Sequence, residues 1–331
     1  MTKTVMISGE SDRSILFVHG RSFKPSAGPY LEILAGAVAA GVEGDYPESL
    51  SALASVSKAL AYYGDLTNEF LAAQGQAYDE QLDVSDMRNV LHELRALDRK
   101  KGFSVARYDK LPGKSAVSEF AASVLAPVLS AVGLEKPLVS TATKDLGEYW
   151  KRDSDLGIGM LRRVRDCICA ALDADQRLLL VSHGTGSILT WDALWDLSHD
   201  PDYAPKYADA KIDVWVTLGS PLGDSMVRKQ LRGADRKGRE RYPTNVLAWH
   251  NVSAEDDYMS HDSTLSDDYK PMLKQRQISS IRDYRIYNMA VRYGRSNPHN
   301  VLGYLVHPRV AKIVNDWLTQ SFGQPAHRSL L

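Results

Sequence analysis

The sequence predicts an α/β domain with a mostly parallel central sheet flanked by helices. Short apolar runs, rich in β-branched and aromatic residues and bounded by turn residues, recur along the 331 residues. Such runs are typical of parallel strands that are buried on both faces. Helical patterns separate these runs, and strand–helix alternation favours a parallel sheet that is covered on both sides. The runs are residues 15–18, 59–63, 178–182, 212–218, 246–251 and 285–290.

Two of the helical patterns are marked by apolar residues at three- and four-residue steps. One covers residues 156–172 and the other covers residues 310–318, where Pro308 suits the first turn. Between residues 65 and 144 the alternation with strands is interrupted. We therefore expect a single domain, residues 1–331, in which residues 65–144 form a helical cap insertion. A cap is expected over the carboxyl ends of the strands, where open α/β sheets place their sites.

Within the expected cap, the charged segment 79–101 is predicted to be helical, and residues 103–108 could form a strand. Residues 116–134 are the most apolar stretch, but they contain Glu119, three serines and Pro127. These residues interrupt the run of about 18 or more consecutive apolar residues that a membrane span needs. We expect a kinked helix, buried or in the cap, rather than a transmembrane segment.

The composition narrows the functional classes. Hydrophobic residues make up 44% and charged residues 24% of the chain, as in ordinary globular proteins. The formal net charge of −1 provides no overall field for nucleic acid, so no nucleic-acid partner is expected. No apolar signal-peptide core follows Met1, so the expected location is cytoplasmic. Cys167 and Cys169 are two residues apart on a predicted helix and point to different faces, so neither a disulfide nor a metal pair is expected.

The first motif is His19-Gly20, directly after the first run. Glycine lets the chain turn sharply as it leaves the sheet. The backbone N–H groups of Arg21 and Ser22 could then point into a site. Taken alone, this dipeptide is more typical of an ordinary turn than of a functional site.

The second motif spans residues 178–187 and reads L-L-L-V-S-H-G-T-G-S, followed by a helical segment. A strand, a very tight turn and a helix form the nucleophile elbow, which has small residues two before and two after a central nucleophile. Here Ser182 and Gly186 are the small residues, and Gly184 holds the central position. The elbow pattern is therefore present without its hydroxyl.

Neither neighbouring serine replaces the missing nucleophile, and a phosphate site is the alternative reading. Ser182 would have the bulky Leu180 two residues before it, and Ser187 falls beyond the turn. A glycine-rich turn at a helix N-terminus also suits phosphate. However, Leu189 stands where a third glycine would be expected, and no P-loop lysine follows.

The later loops supply candidate polar groups. Gly219-Ser220-Pro221 ends a strand, and we interpret Ser220 as a turn residue. An acidic pair, Asp256 and Asp257, follows the strand at 246–251. His299 lies in the loop between the last strand and the last helix.

Together these segments resemble the serine α/β-hydrolases, and they are most similar to bacterial relatives of lipases and glycolipid deacylases. The order of elbow, acid and histidine is the order of that fold. The resemblance extends over most of the chain. It is carried by I-L-F-V-H-G at 15–20, A-Y-Y-G-D-L at 61–66, Y-W at 149–150, L-V-S-H-G-T-G-S at 180–187, T-L-G-S-P-L at 217–222, W-H-N at 249–251 and N-P-H-N-V-L-G-Y-L at 297–305.

The resemblance implies an α/β-hydrolase fold and a carboxylic ester hydrolase with a catalytic triad, without a cofactor or metal. Position 184 is where the family has its nucleophilic serine. His299 would be the general base, and Asp257, with Asp256 as the alternative, would orient it. The substrate would be a small-molecule or lipid-like acyl ester.

The resemblance also implies an oxyanion hole. Its donors would be the backbone N–H of Thr185 and that of Arg21 or Ser22.

Gly184 leaves two interpretations open. The chain is either a non-catalytic, ligand-binding or weakly catalytic member, or a form in which a native serine has been replaced, so that it is inactive or traps its ligand. Glycine adopts the strained backbone of an elbow at little cost in both cases. A phosphate-binding module is the third hypothesis. The sequence leaves the oligomeric state open.

Overall fold

The computed structural model describes residues 4–113, 144–151, 154–260, 262 and 264–320. Its centre is a seven-stranded sheet in the order β1-β3-β2-β4-β5-β6-β7. All neighbours are parallel except β1, which runs antiparallel to β3 at the edge. The strands are β1 (Thr4–Ile7), β2 (Arg13–Val18), β3 (Ser57–Ala61), β4 (Arg177–His183), β5 (Ile212–Leu218), β6 (Val246–Ala254) and β7 (Ser280–Ile286). A small hairpin, β8 (Val291–Arg292) and β9 (Arg295–Ser296), follows them.

Helices cover both faces of this sheet. They are α1 (Ala27–Asp45), α2 (Leu50–Ser55), α3 (Gly64–Ala73), α4 (Glu80–Arg95), α5 (Val105–Tyr108), α6 (Lys144–Tyr149), α7 (Asp155–Asp173), α8 (Gly186–His199), α9 (Ala204–Tyr207), α10 (Ser225–Gln230), α11 (Leu265–Asp268), α12 (Lys270–Lys274), α13 (Val301–Val306) and α14 (Pro308–Thr319). The predicted class, a mostly parallel sheet flanked by helices, is confirmed, and the architecture is consistent with an α/β-hydrolase-like fold.

The alternation along β2 shows how the core is divided. Ile15 and Phe17 pack in one apolar cluster, with α1 and α14. Leu16 and Val18 pack in a second cluster, with α7 and α8. Successive side chains of a strand point to opposite faces, so a strand covered on both sides must be apolar throughout.

Parallel register brings the ends of the central strands together at one edge. Val18 is level with Ser182, and His183 is level with Leu218. Loops that leave β2, β4, β5 and β6 therefore meet above the same edge, where the motifs of the sequence lie. Within the described ranges, no helix is long and apolar enough to cross a membrane.

Two expectations about secondary structure need correction, and one strand was not predicted. Residues 103–108 do not form a strand: Val105–Tyr108 form α5, and the carbonyl of the N-cap residue Ser104 accepts the N–H of Tyr108. The last sheet strand is Ser280–Ile286 rather than 285–290, because it is an edge strand with a largely polar sequence. The edge strand β1 was not expected from the sequence.

The predicted cap insertion is helical in its described part, but its expected position over the carboxyl ends of the strands is not confirmed. Helices α3, α4 and α5 lie in this region, and the charged helix begins after the N-cap Asp79. Helix α4 packs on α1 and α13, and its Asp83 and Asp86 pair with Arg292 of the hairpin. The kinked helix expected at 116–134 lies outside the described residues.

Candidate active site

A tight turn joins β4 to α8 at Gly184. This glycine has a φ of +52°, in the left-handed region that favours glycine. Its N–H donates to the carbonyl of Leu218 at 2.9 Å, and its own carbonyl accepts the N–H of Ser187 at 3.0 Å. A β-carbon on Gly186 would lie 2.3 Å from the carbonyl oxygen of His19. The turn is therefore closed by hydrogen bonds and pressed against the end of β2.

His299 stands over this turn. It lies between β9 and α13, and its side chain is 26% exposed. A β-carbon built on Gly184 would lie 2.9 Å from its Nε2 atom and 3.2 Å from its Cε1 atom. The side chain at position 184 would thus point directly at the imidazole.

Asp257 holds the other side of the same ring. The Nδ1 atom of His299 lies 3.0 Å from Oδ1 and 2.9 Å from Oδ2 of Asp257. An ionised carboxylate only accepts hydrogen bonds, so Nδ1 carries the hydrogen. In the neutral imidazole Nε2 then bears a lone pair that is directed towards position 184.

Asp257 is buried, with 3% of its surface exposed, and its oxygens are well supplied with donors. Oδ1 accepts the N–H of Met259 at 3.0 Å, and Oδ2 accepts the hydroxyl of Tyr304 at 2.5 Å. The Tyr304 oxygen in turn accepts the N–H of Ala254 at 2.9 Å. Burial and the charge of Asp257 raise the pKa of Tyr304 well above its usual value, so this hydroxyl stays a donor.

Asp256, the second acid of the pair, is directed towards Tyr108. Asp256 has a φ of 60° and accepts the hydroxyl of Tyr108 at 3.2 Å. The structure therefore brings Asp257, and not Asp256, to His299.

Gly219 is a residue of this site that the sequence did not reveal. It follows β5, with a φ of +55°, and its N–H donates to Val252 at 3.0 Å. A β-carbon there would lie 2.6 Å from Oδ2 of Asp257 and 3.0 Å from Nδ1 of His299. The Asp257–His299 pair thus packs directly against the backbone of Gly219, with no room for a side chain there. The only signal in the sequence is a glycine directly after a strand, which is equally typical of a plain turn.

The loop after β2 lies on the other side of Gly184. A β-carbon on Gly20 would lie 3.1 Å from the carbonyl of His183, so the two backbones are close. The ring of His19 is 2% exposed and stacks on Tyr63 with centroids 3.8 Å apart. Its Nδ1 donates to Gly20 at 2.8 Å, and its Nε2 accepts the N–H of Tyr63 at 3.1 Å. Burial, and then the charge of Lys24, lower the pKa of His19 to about 3.

The candidate oxyanion donors are anchored nearby. Ser22 has a φ of 71°, and the Lys24 ammonium donates to the carbonyls of Arg21 and Phe23, the latter at 3.1 Å. The side-chain oxygen of Asn68 accepts the N–H of Lys24 at 2.9 Å, and its side-chain nitrogen donates to the carbonyl of Lys24 at 2.8 Å. These contacts fix the shape of the loop. The choice between the N–H groups of Arg21 and Ser22 stays a prediction.

Thr185, the third candidate donor, is buried as the N-cap residue of α8 and directly follows Gly184. Its backbone is thus held at the turn, and its role in an oxyanion hole also stays a prediction.

The serines near the turn have structural partners. Ser182 donates to Ser187 at 3.1 Å and accepts the indole N–H of Trp215 at 2.9 Å, and both serines are fully buried. The hydroxyl of Ser220 accepts the N–H of Leu222 at 3.3 Å. Within the described residues, none of these three hydroxyls is hydrogen-bonded to His299.

Within the described ranges, no group of three or more His, Cys, Asp or Glu side chains is placed to hold a metal ion. Comparisons with protein-family models, with curated proteins and with solved structures find no match to this chain.

Proposed function

We propose that this site binds an acyl ester and is a serine-hydrolase site whose nucleophile position holds glycine. One observation carries the proposal: Nε2 of His299 lies 2.9 Å from the β-carbon position of Gly184, while Asp257 holds Nδ1 of the same ring. A base oriented by an acid, aimed at the central residue of a strand–turn–helix elbow, is the arrangement that activates a hydroxyl.

With serine at position 184, the chemistry would follow from this geometry. His299 would take the hydroxyl proton as the oxygen attacks the ester carbonyl, and Asp257 would stabilise the imidazolium that forms. Backbone N–H groups of Thr185 and of Arg21 or Ser22 would hold the tetrahedral oxyanion. Collapse would release the alcohol with the proton from His299, and water would then hydrolyse the acyl-enzyme.

With glycine in place, the chain lacks the covalent step. We infer that it binds a small-molecule or lipid-like acyl ester and turns it over only to the extent that a water on His299 attacks directly. The apolar sequence 116–134 supports a substrate with an apolar part.

The decisive experiment compares Gly184→Ser with the unsubstituted protein on a panel of activated acyl esters. We expect the serine variant to show burst kinetics and to react with a fluorophosphonate probe, because His299 then has a hydroxyl to deprotonate. Gly184→Ala is the matched control, since it adds the β-carbon without the hydroxyl. Gly184→Ser with His299→Ala should lose the gain.

A ligand-binding protein without latent chemistry is the second candidate, and Gly184 itself favours it. A folded serine variant that neither hydrolyses any ester nor reacts with the probe would support that candidate. Binding of inorganic phosphate that is lost on changes at the elbow would instead support the phosphate-binding hypothesis.

A further inference from the structure

Three consecutive backbone carbonyls around His299 are held by side-chain donors. The amide nitrogen of Asn288 donates to Pro298 at 2.9 Å and to Asn300 at 2.8 Å. Nε2 of His183 lies 2.9 Å from the carbonyl oxygen of His299. The loop that carries the candidate base is thus fixed at its own residue and at both neighbours.

Asn288 uses both of its amide hydrogens and its carbonyl oxygen in these contacts. It is fully buried, both of its amide hydrogens are donated, and its oxygen accepts the N–H of Ala290 at 3.0 Å. Two carbonyls on one side and an N–H on the other allow a single orientation of the amide. A β-carbon on Gly303 would lie 1.7 Å from this oxygen, so α13 approaches Asn288 only through glycine.

His183 has a defined role as well. A carbonyl only accepts, so Nε2 of His183 carries the hydrogen. The rings of His183 and His299 lie with centroids 4.5 Å apart and planes 32° apart. Burial, and then the neighbouring His299, lower the pKa of His183 well below its usual value. His183 is therefore a neutral donor, and it adds no charge beside the imidazolium that His299 would become.

These contacts fix the backbone of the His299 loop, which Asp257 alone does not. A carboxylate fixes where Nδ1 points, but the ring can still swing if the backbone of its loop moves. We propose that His183 and Asn288 are positioning residues for His299, because they hold its backbone so that Nε2 faces position 184. The catalytic meaning of this inference rests on the proposed function.

The activity test uses Gly184→Ser as the parent and changes His183. His183→Phe keeps a ring but removes the donor, and misplacing a base by about 1 Å costs on the order of 10²-fold. We expect kcat to fall by that order while KM stays near the parent value. His183→Gln places an amide N–H near the position of Nε2 and should recover most of the loss. His250→Phe is the control, since His250 is half-buried on β6 and is hydrogen-bonded to Tyr284 on β7.

A second measurement does not depend on turnover. In the unsubstituted protein, the proton on Nδ1 of His299 should give a downfield NMR resonance that is protected from exchange by Asp257. We expect the resonance to broaden or vanish in His183→Phe and in Asn288→Asp, which removes both amide donors, and to persist in His183→Gln. Thermal melting identifies any variant that fails to fold, and His183→Leu then serves as the second donor-free variant.

The outcomes separate the two ideas. An unchanged kcat in folded His183→Phe, or an unchanged His299 resonance in both His183→Phe and Asn288→Asp, would overturn the positioning role. If Gly184→Ser is inactive while the resonance responds as expected, the positioning role stands and the proposed function fails.

Discussion

Nε2 of His299 lies 2.9 Å from the point where a β-carbon on Gly184 would stand. That distance is shorter than an ordinary van der Waals contact, so the imidazole must yield slightly to any side chain at position 184. The ring is also tied to Asp257 at 2.9 Å. Glycine therefore avoids both the backbone strain of a positive φ and the close contact with the imidazole. Serine would incur both, but its hydroxyl would gain a hydrogen-bond partner in His299.

Side chains at position 184 should lower stability. The φ of +52° disfavours any residue with a β-carbon, and such strain costs on the order of 1–3 kcal/mol. We expect Gly184→Ala to lose this amount in urea unfolding. Gly184→Ser should be more stable than Gly184→Ala by about 0.5–1.5 kcal/mol, because its hydroxyl forms a hydrogen bond with His299. A serine variant that is less stable than the alanine variant would contradict a hydroxyl–imidazole contact.

Gly219→Ala should damage the acid–base pair as well as the backbone. The new β-carbon would lie 2.6 Å from Oδ2 of Asp257, so the carboxylate or the His299 ring must move. We expect the Nδ1 proton resonance of His299 to disappear, and activity in the Gly184→Ser parent to fall with it. Gly75→Ala is the matched control, because Gly75 also has a positive φ, +79°, but open space around it. Equal effects of the two substitutions would mean that backbone strain alone is responsible.

Much of the central sheet could be predicted because its inner strands are buried on both faces. The prediction of residues 212–218 coincides with β5 at both ends, and every residue of β5 is buried. The edges could not be found in the same way. In β7 only Ile281 and Ile286 are buried, so the polar residues between them conceal the strand.

The parts of the site that follow strands in chain order could also be predicted. Gly184 follows β4, Asp257 follows β6, and His299 comes after β7 and the small hairpin, and the structure brings the three together. The supporting contacts could not be predicted, because they join residues far apart in sequence. His183 and His299 are separated by 116 positions, and nothing local to either one indicates their hydrogen bond.

The two acids of the pair should differ sharply in the Gly184→Ser parent. Asp257→Asn presents an amide to Nδ1 of His299, which favours the wrong tautomer and costs on the order of 10⁴-fold in kcat. Asp256→Asn should leave kcat nearly unchanged, since Asp256 faces Tyr108. Steady-state kinetics on one activated ester is sufficient. A larger loss from Asp256→Asn would assign the orienting role to the other acid.

His19 should make stability depend on pH on the acidic side of neutrality. Burial lowers its pKa to about 3 in the folded protein, while the unfolded chain keeps a value of about 6.5. Below about pH 6.5 the unfolded chain therefore binds a proton that the folded protein does not. The free energy of unfolding should decrease as the pH falls, by up to about 1.4 kcal/mol per pH unit, until the pH reaches the folded value. Above pH 6.5 this contribution is absent.

An Asn substitution isolates this contribution from those of other buried histidines, such as His307, whose pKa burial also lowers to about 3. His19→Asn keeps a donor for the carbonyl of Gly20 but cannot titrate, although it leaves the N–H of Tyr63 without the Nε2 acceptor. The variant should be less stable at neutral pH, by about 1–3 kcal/mol. Between roughly pH 4 and pH 6 its free energy of unfolding should then decline less steeply with falling pH. The difference in slope should be about 1.4 kcal/mol per pH unit, which corresponds to one bound proton. Urea unfolding across that range measures both effects, and an NMR titration of His19 gives its pKa directly. A slope identical to that of the parent, or a His19 ring that titrates near pH 6.5, would show that the imidazole is not buried in its neutral form.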